Sequence, residues 1–198
     1  MDRLQTIGIV GAGAKGREVA SLALLGGFRV ILEDISASRL AESEIEISCA
    51  LDAAVGRGEI DIRRRSEIVA NLSAARSMDA VSLGADLLID AAPEDAELQL
   101  EIFTIFDKFA KPGAILASTS NSMSIAELAE MTNCPERCVG LRFPASTSRS
   151  KSLTILRAPK TDECSVQVCR DFARQLGFEA NVVKQAEDPV IEGEPHRR

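Results

Sequence analysis

The sequence predicts an α/β fold built on a doubly wound, mostly parallel sheet, and three observations carry that expectation. Apolar runs ending in turn signals alternate with stretches of helical periodicity through most of the chain. The first run, Thr6 to Val10, leads directly into the glycine-rich turn Gly11-Ala12-Gly13-Ala14-Lys15-Gly16. The second run closes on the acidic pair Glu33-Asp34, and Asp34 lies 18 residues beyond the last of those glycines.

Each element follows from local chemistry. The apolar run predicts a strand over 5–10, and the glycine turn opens a helix over 14–26. A second strand is expected over 28–33. Helical patterning over 36–56 and 61–70, broken at Gly56-Arg57-Gly58, forms an insert of about 36–70, longer than an ordinary crossover. Two antiparallel helices leaving the sheet would satisfy it, as a wall of a ligand cleft or as a surface hairpin. Strands follow over 71–74 and 86–90, then a helix over 94–110 with Leu98, Ile102, Ile105, Phe106 and Phe109 at helical spacing. A strand over 114–117, a helix over 124–131 and strands over 138–141 and 152–157 come next. The last helix, 161–176, opens on Thr161-Asp162-Glu163, buries Cys169, Phe172, Ala173 and Leu176, and closes at Gly177 before a weaker strand over 180–183. Residues 1–184 thus read as one domain of Rossmann type, and 185–198, with Pro189 and Pro195, as an irregular polar tail.

Composition narrows the functional classes. The 198 residues are 45% apolar and 27% charged with a net charge of −7, an acidic balance that argues against nucleic-acid and anionic-membrane partners. The basic run Arg63-Arg64-Arg65 reads as a solvated helix face. Met1-Asp2-Arg3 runs straight into the first strand with no leader, and no apolar stretch approaches a membrane span, so a cytoplasmic location is expected. Five cysteines without a paired CxxC pattern and a single histidine, His196, argue against a metal site. Cys49, Cys164 and Cys169 are expected in helices as buried or half-buried apolar residues.

The glycine turn carries the chemistry. Gly11 allows a tight turn, Gly13 allows backbone to approach a diphosphate, and Gly16 allows the helix to pack on the strand. Amides at the helix start have no intrahelical acceptor and carry partial positive charge, which favours a phosphate there. Asp34 is expected to accept from the adenosine ribose hydroxyls and to repel a 2′-phosphate, which favours NAD over NADP; its competing role is to cap the helix starting near Ser36. Lys15 either pairs with the diphosphate or points into water.

Taken together, the residues resemble the NAD-binding domain of the L-3-hydroxyacyl-CoA dehydrogenases from Ile7 to about Lys184. The resemblance rests on the glycine turn, Asp34, the helical insert ending at Gly58, the segment Ala85-Asp86-Leu87-Leu88-Ile89-Asp90-Ala91-Ala92-Pro93-Glu94-Asp95, the Ser/Thr-rich stretch Ala117 to Ile125, and Val139-Gly140-Leu141. It implies NAD(H) as cofactor, bound by Gly11, Ala12, Gly13, Ala14, Lys15, Gly16, Asp34, Ala92, Pro93, Glu94, Gln99, Thr119 and Asn121. Without it, Glu94 and Asp95 read as first-turn carboxylates on a helix dipole, and both roles are compatible. The family transfers hydride between a 3-hydroxyacyl-CoA and NAD, using a histidine base held by a glutamate. Here Arg142 follows Gly140-Leu141 where that histidine would stand, and the glutamate's place falls on Thr154 or, shifted by one, Ile155. The family's substrate-binding serine falls on Asn121 and the asparagine preceding it on Thr119. Arg57 or Arg63 takes the place of CoA-phosphate contacts. The family's linker to its helical domain falls on Glu187-Asp188-Pro189-Val190-Ile191, after which seven residues remain, so the helical C-terminal domain is expected to be absent.

Two functions follow from this pattern. One is an NAD(H)-binding sensor, subunit or catalytically altered homologue, with Arg142, Asn121 and Thr119 holding a small anion, against the plainer reading of Arg142 as a surface ion pair. The other is an NAD-dependent 3-hydroxyacyl-CoA or 3-hydroxy acid dehydrogenase that uses a non-histidine acid/base or a partner chain; which residues would be catalytic is left unassigned. A homodimer or partner subunit fits either, since loss of a helical domain exposes apolar surface.

Overall fold

The computed structural model of the chain describes residues 4–144 and 151–185. Beyond Gln185 the expected polar tail lies outside the described residues. Eight strands form one sheet: β1 (Thr6–Val10), β2 (Arg29–Glu33), β3 (Leu72–Ala75), β4 (Leu87–Asp90), β5 (Ile115–Ser118), β6 (Cys138–Arg142), β7 (Ser152–Arg157) and β8 (Glu179–Lys184). Their order is β3-β2-β1-β4-β5-β6-β7-β8, and every neighbouring pair is parallel except β6 with β7. The chain winds outward from β1 in one direction and then, from β4, in the other. The crevice between the C-terminal ends of β1 and β4 is therefore a topological switch point, where ligands of open α/β sheets bind.

Seven α-helices cover the two faces: α1 (Ala14–Leu25), α2 (Ala37–Gly56), α3 (Ile62–Val69), α4 (Met78–Gly84), α5 (Ala96–Phe109), α6 (Ile125–Glu130) and α7 (Glu163–Gln175). Alternation along the strands divides the core. Ile7, Ile9, Val30, Leu32, Leu87 and Ile89 pack on the side of α1, α2 and α7, where Val19, Leu24, Ile47, Leu51 and Phe172 are buried. Val10, Leu88 and Leu116 face the opposite side, against Val81 of α4, Ile102, Phe103 and Phe106 of α5 and Leu128 of α6. Phe28 and Phe172 meet with ring centroids 5.4 Å apart, tying the entry of β2 to the last helix.

The structure departs from the sequence reading in several places. α4 and a 3-10 turn at Pro135–Arg137 were not expected, because each is too short to display a period. The α5 stripe is Gln99, Ile102, Phe103 and Phe106, whereas Ile105 and Phe109 are half-buried. Helices α2 and α3 pack chiefly on α1 and on each other, and their Leu40, Ile47, Leu51 and Ile68 belong to the main core, so the pair is not a detached surface hairpin. Nor is the basic run wholly solvated, because Arg65 reaches Asp52 at 2.9 Å and the Ser48 hydroxyl at 2.5 Å, clamping α3 to α2. Cys49 and Cys164 are exposed, while Cys169 is buried.

Candidate functional site

The site begins at the turn between β1 and α1. Gly11 has φ +98°, and a Cβ there would lie 2.7 Å from the Ala91 carbonyl oxygen, so only glycine fits beside the end of β4. A Cβ on Gly16 would collide with the Gly11 carbonyl. Gly13 is different: it caps α1 with no side-chain hydrogen bond, and a Cβ added there would meet nothing within 4 Å. Open space thus lies beside the first turn of α1, whose leading amides have no intrahelical acceptor. Those features fit the diphosphate of a dinucleotide.

Asp34 closes the turn from the other side. It is buried, at 8% exposure, and its Oδ2 accepts from the Ala12 amide at 2.9 Å while Oδ1 accepts from the Ser36 amide at 2.9 Å. The Arg39 guanidinium stands 3.5 Å from Oδ2. Capping of α2 falls to Ser36, which accepts from the Arg39 amide, so the capping role considered for Asp34 is a correction. Ala12 is held on both sides. Its amide is engaged by Asp34, and its carbonyl accepts from Ser43 Oγ at 2.8 Å, so it braces the turn.

The second part of the site is the run after β4. Glu94 accepts from Ser120 Oγ (2.6 Å), Ser122 Oγ (2.8 Å) and the Asn121 amide (3.1 Å). Partial burial opposes its charge, but these bonds and that from Gln99 outweigh it and bring its pKa down to about 2. Gln99 is 1% exposed and donates to Pro93 O and Glu94 at 3.4 Å, so it holds the Pro93-Glu94 turn from behind instead of facing the crevice. Ala92 donates its amide to Asp90 Oδ1 at 3.0 Å. Thr119 donates both its amide (3.0 Å) and its hydroxyl (2.9 Å) to the Asp90 carbonyl. Lys15 crosses the crevice, donating to the Thr119 carbonyl at 3.1 Å and pairing with Glu94 at 3.5 Å, so it does not simply point into water.

Asp90 escaped the sequence reading. It ends β4 directly opposite Val10, is 2% exposed, and its Oδ2 has no partner. Burial drives its pKa up to about 6; the Glu94 charge adds to this, while the Ala92 amide, Lys15 and Ser118 oppose it. The signal was a lone carboxylate closing an otherwise apolar strand. Ser120 and Ser122 were also missed as partners of Glu94; their alternation around Asn121 was the available sign.

The ends of β5 and β6 complete the site. Arg142 is half-buried, and its Nη1 donates to the carbonyls of Ser118 (3.2 Å) and Leu141 (3.3 Å). Arg142 and Thr154 are register partners across the antiparallel β6–β7 pair, whereas Ile155 pairs with Leu141 and is fully buried. Lys15, Glu18, Asn121, Arg142 and Phe143 line a cavity of about 310 Å³ at these strand ends. Arg57 pairs with Glu59 at 2.7 and 2.9 Å, Arg63 is exposed on α3, and neither is among the residues lining this cavity.

Comparison with known proteins agrees with this geometry. Residues 6–186 match the family described as 3-hydroxyacyl-CoA dehydrogenase, NAD binding domain. A 3-hydroxybutyryl-CoA dehydrogenase of Bradyrhizobium diazoefficiens is 31% identical over 179 residues, 90% of this chain and 61% of that protein. The 3-hydroxyadipyl-CoA dehydrogenase of Escherichia coli is 31% identical over 143 residues, 72% of this chain and 30% of that one. The crystal structure of (S)-3-hydroxybutyryl-CoA dehydrogenase from Ralstonia eutropha superposes with a TM-score of 0.87 at 25% identity, covering 95% of this chain and 66% of that one. The chain spans about three fifths of the length of the first curated relatives it matches. No helix among the described residues is long and apolar enough to cross a membrane. With its switch-point crevice, open glycine turn and buried Asp34, the chain belongs to the family of the NAD-binding domain of 3-hydroxyacyl-CoA dehydrogenase, and NAD is its cofactor.

Proposed function

We propose that the chain is an NAD(H)-binding module, a sensor, a subunit or a catalytically altered homologue, and that it does not by itself run the acid–base chemistry of its dehydrogenase relatives. The diphosphate lies against Gly13 and the first amides of α1, the adenosine ribose meets Asp34, and the nicotinamide end reaches Glu94, Thr119 and Asn121. The observation that carries the reading is the register pair Arg142 and Thr154. By the resemblance these two residues take the places of the family's histidine and glutamate, and they are paired in register across β6 and β7. A guanidinium stays protonated at physiological pH and a threonine hydroxyl cannot orient an imidazolium, so a proton shuttle worth roughly 10²- to 10⁴-fold in rate is missing.

Calorimetric titration with NAD and with NADH tests the binding claim. Heat is expected with at least one of them, weakened tenfold or more by Asp34→Ala; no heat with either would overturn it. A second reading, NAD-dependent oxidation of a 3-hydroxyacyl-CoA or 3-hydroxy acid with another acid/base or a partner chain, is favoured by the relatives being 3-hydroxyacyl-CoA dehydrogenases. Formation of NADH from a panel of those substrates, with the chain alone or with co-purifying proteins, would support it in place of the binding role.

A further inference from the structure

Two cations are seated on consecutive carbonyls at the end of β5: Arg142 on Ser118 and Lys15 on Thr119. Both line the same cavity, together with Asn121 and a short apolar wall of Leu141, Phe143 and Pro144. Their surroundings differ. Lys15 has a counter-charge in Glu94 at 3.5 Å, whereas Glu94 acts on Arg142 only from beyond ion-pair distance. Burial opposes the Arg142 charge, so an arriving anion would be stabilised there. With Nη1 engaged, the guanidinium edge formed by Nε and Nη2 carries the two parallel N–H groups that match a carboxylate. Among the described residues, no acceptor meets that edge.

We propose that this cavity binds a free short-chain oxo or hydroxy carboxylic acid, its carboxylate clamped by Arg142 and its other oxygen facing Lys15 and Asn121. A CoA thioester offers this edge only an uncharged carbonyl, so the charge-assisted pair favours the acid over its thioester. Glu18 at the cavity wall disfavours a second carboxylate, which selects monocarboxylates. The apolar wall suits a short carbon chain. The proposal rests on the coenzyme-binding reading for the position of the nicotinamide, but the acid's binding can be measured separately.

The test titrates 3-oxobutanoate, 3-hydroxybutanoate, acetoacetyl-CoA and the neutral 4-hydroxybutan-2-one into the protein alone and into protein saturated with NADH. Binding of the acids is expected, with the thioester and the neutral ketone at least tenfold weaker. Arg142→Leu should weaken the acids tenfold or more and Arg142→Lys should recover part of the loss, with thermal unfolding showing that both variants are folded. Absence of acid binding, equal binding of the ketone or thioester, or unchanged acid affinity in Arg142→Leu would overturn the proposal. Acid binding that depends on Arg142 supports it even where NADH gives no heat, a result that would sink the coenzyme reading alone.

Discussion

Two carboxylates a few residues apart are driven in opposite directions by their surroundings. Glu94 has a folded pKa of about 2, below its unfolded value, so its contribution to stability is fully present above the ordinary carboxylate range and is lost as pH falls toward 2. Glu94→Gln should flatten acid unfolding between about pH 4.5 and 2 and loosen the Ser120-Asn121-Ser122 loop, as urea titrations across that window would show. Asp90 has the reverse sign. With a folded pKa of about 6, above its unfolded value, stability declines as pH rises from about 4 to 6 and is level beyond. Asp90→Asn should reduce that decline, the remainder coming from Glu33, whose pKa burial and the Asp34 charge also raise; a slope equal to that of the unaltered chain would show that Asp90 is not its source.

At the level of elements, the glycine turn separates structural from functional need. Gly13→Ala places a methyl group in open space at a φ of −68°, so thermal stability should change little while NAD affinity falls tenfold or more. Gly16→Ala drives a Cβ into the Gly11 carbonyl and should lower the unfolding midpoint by several degrees whether or not coenzyme is present. Both glycines were legible in the sequence, as were Asp34 and all eight strands, because spacing and apolar runs encode them directly. What the sequence concealed lies in contacts between distant segments. Glu94 was visible as a helix-start carboxylate, but its grip on a loop more than 25 residues away needed three-dimensional placement. Gln99, which the resemblance gives as a coenzyme contact, is nearly sealed, because the α5 stripe is rotated toward Phe103.

The whole molecule depends on one sheet with a helical layer on each face, and its two sides meet differently at the margins. Phe172 of α7 is fully buried against Phe28, and Phe172→Ala should cost about 3–5 kcal/mol in chemical denaturation, detaching the last helix from the α1 side of the sheet. Beyond it lies β8, which among the described residues pairs with β7 alone and so leaves a row of main-chain donors and acceptors along its outer side. Glu179, Asn181 and Lys184 sit on that largely exposed strand, and polar or charged groups at such a border discourage recruitment of foreign strands. This border therefore works as a guard against fibrillar stacking. Replacing Glu179 and Lys184 together by valine should turn it into a template, read as a concentration-dependent rise in thioflavin fluorescence from a chain that still folds.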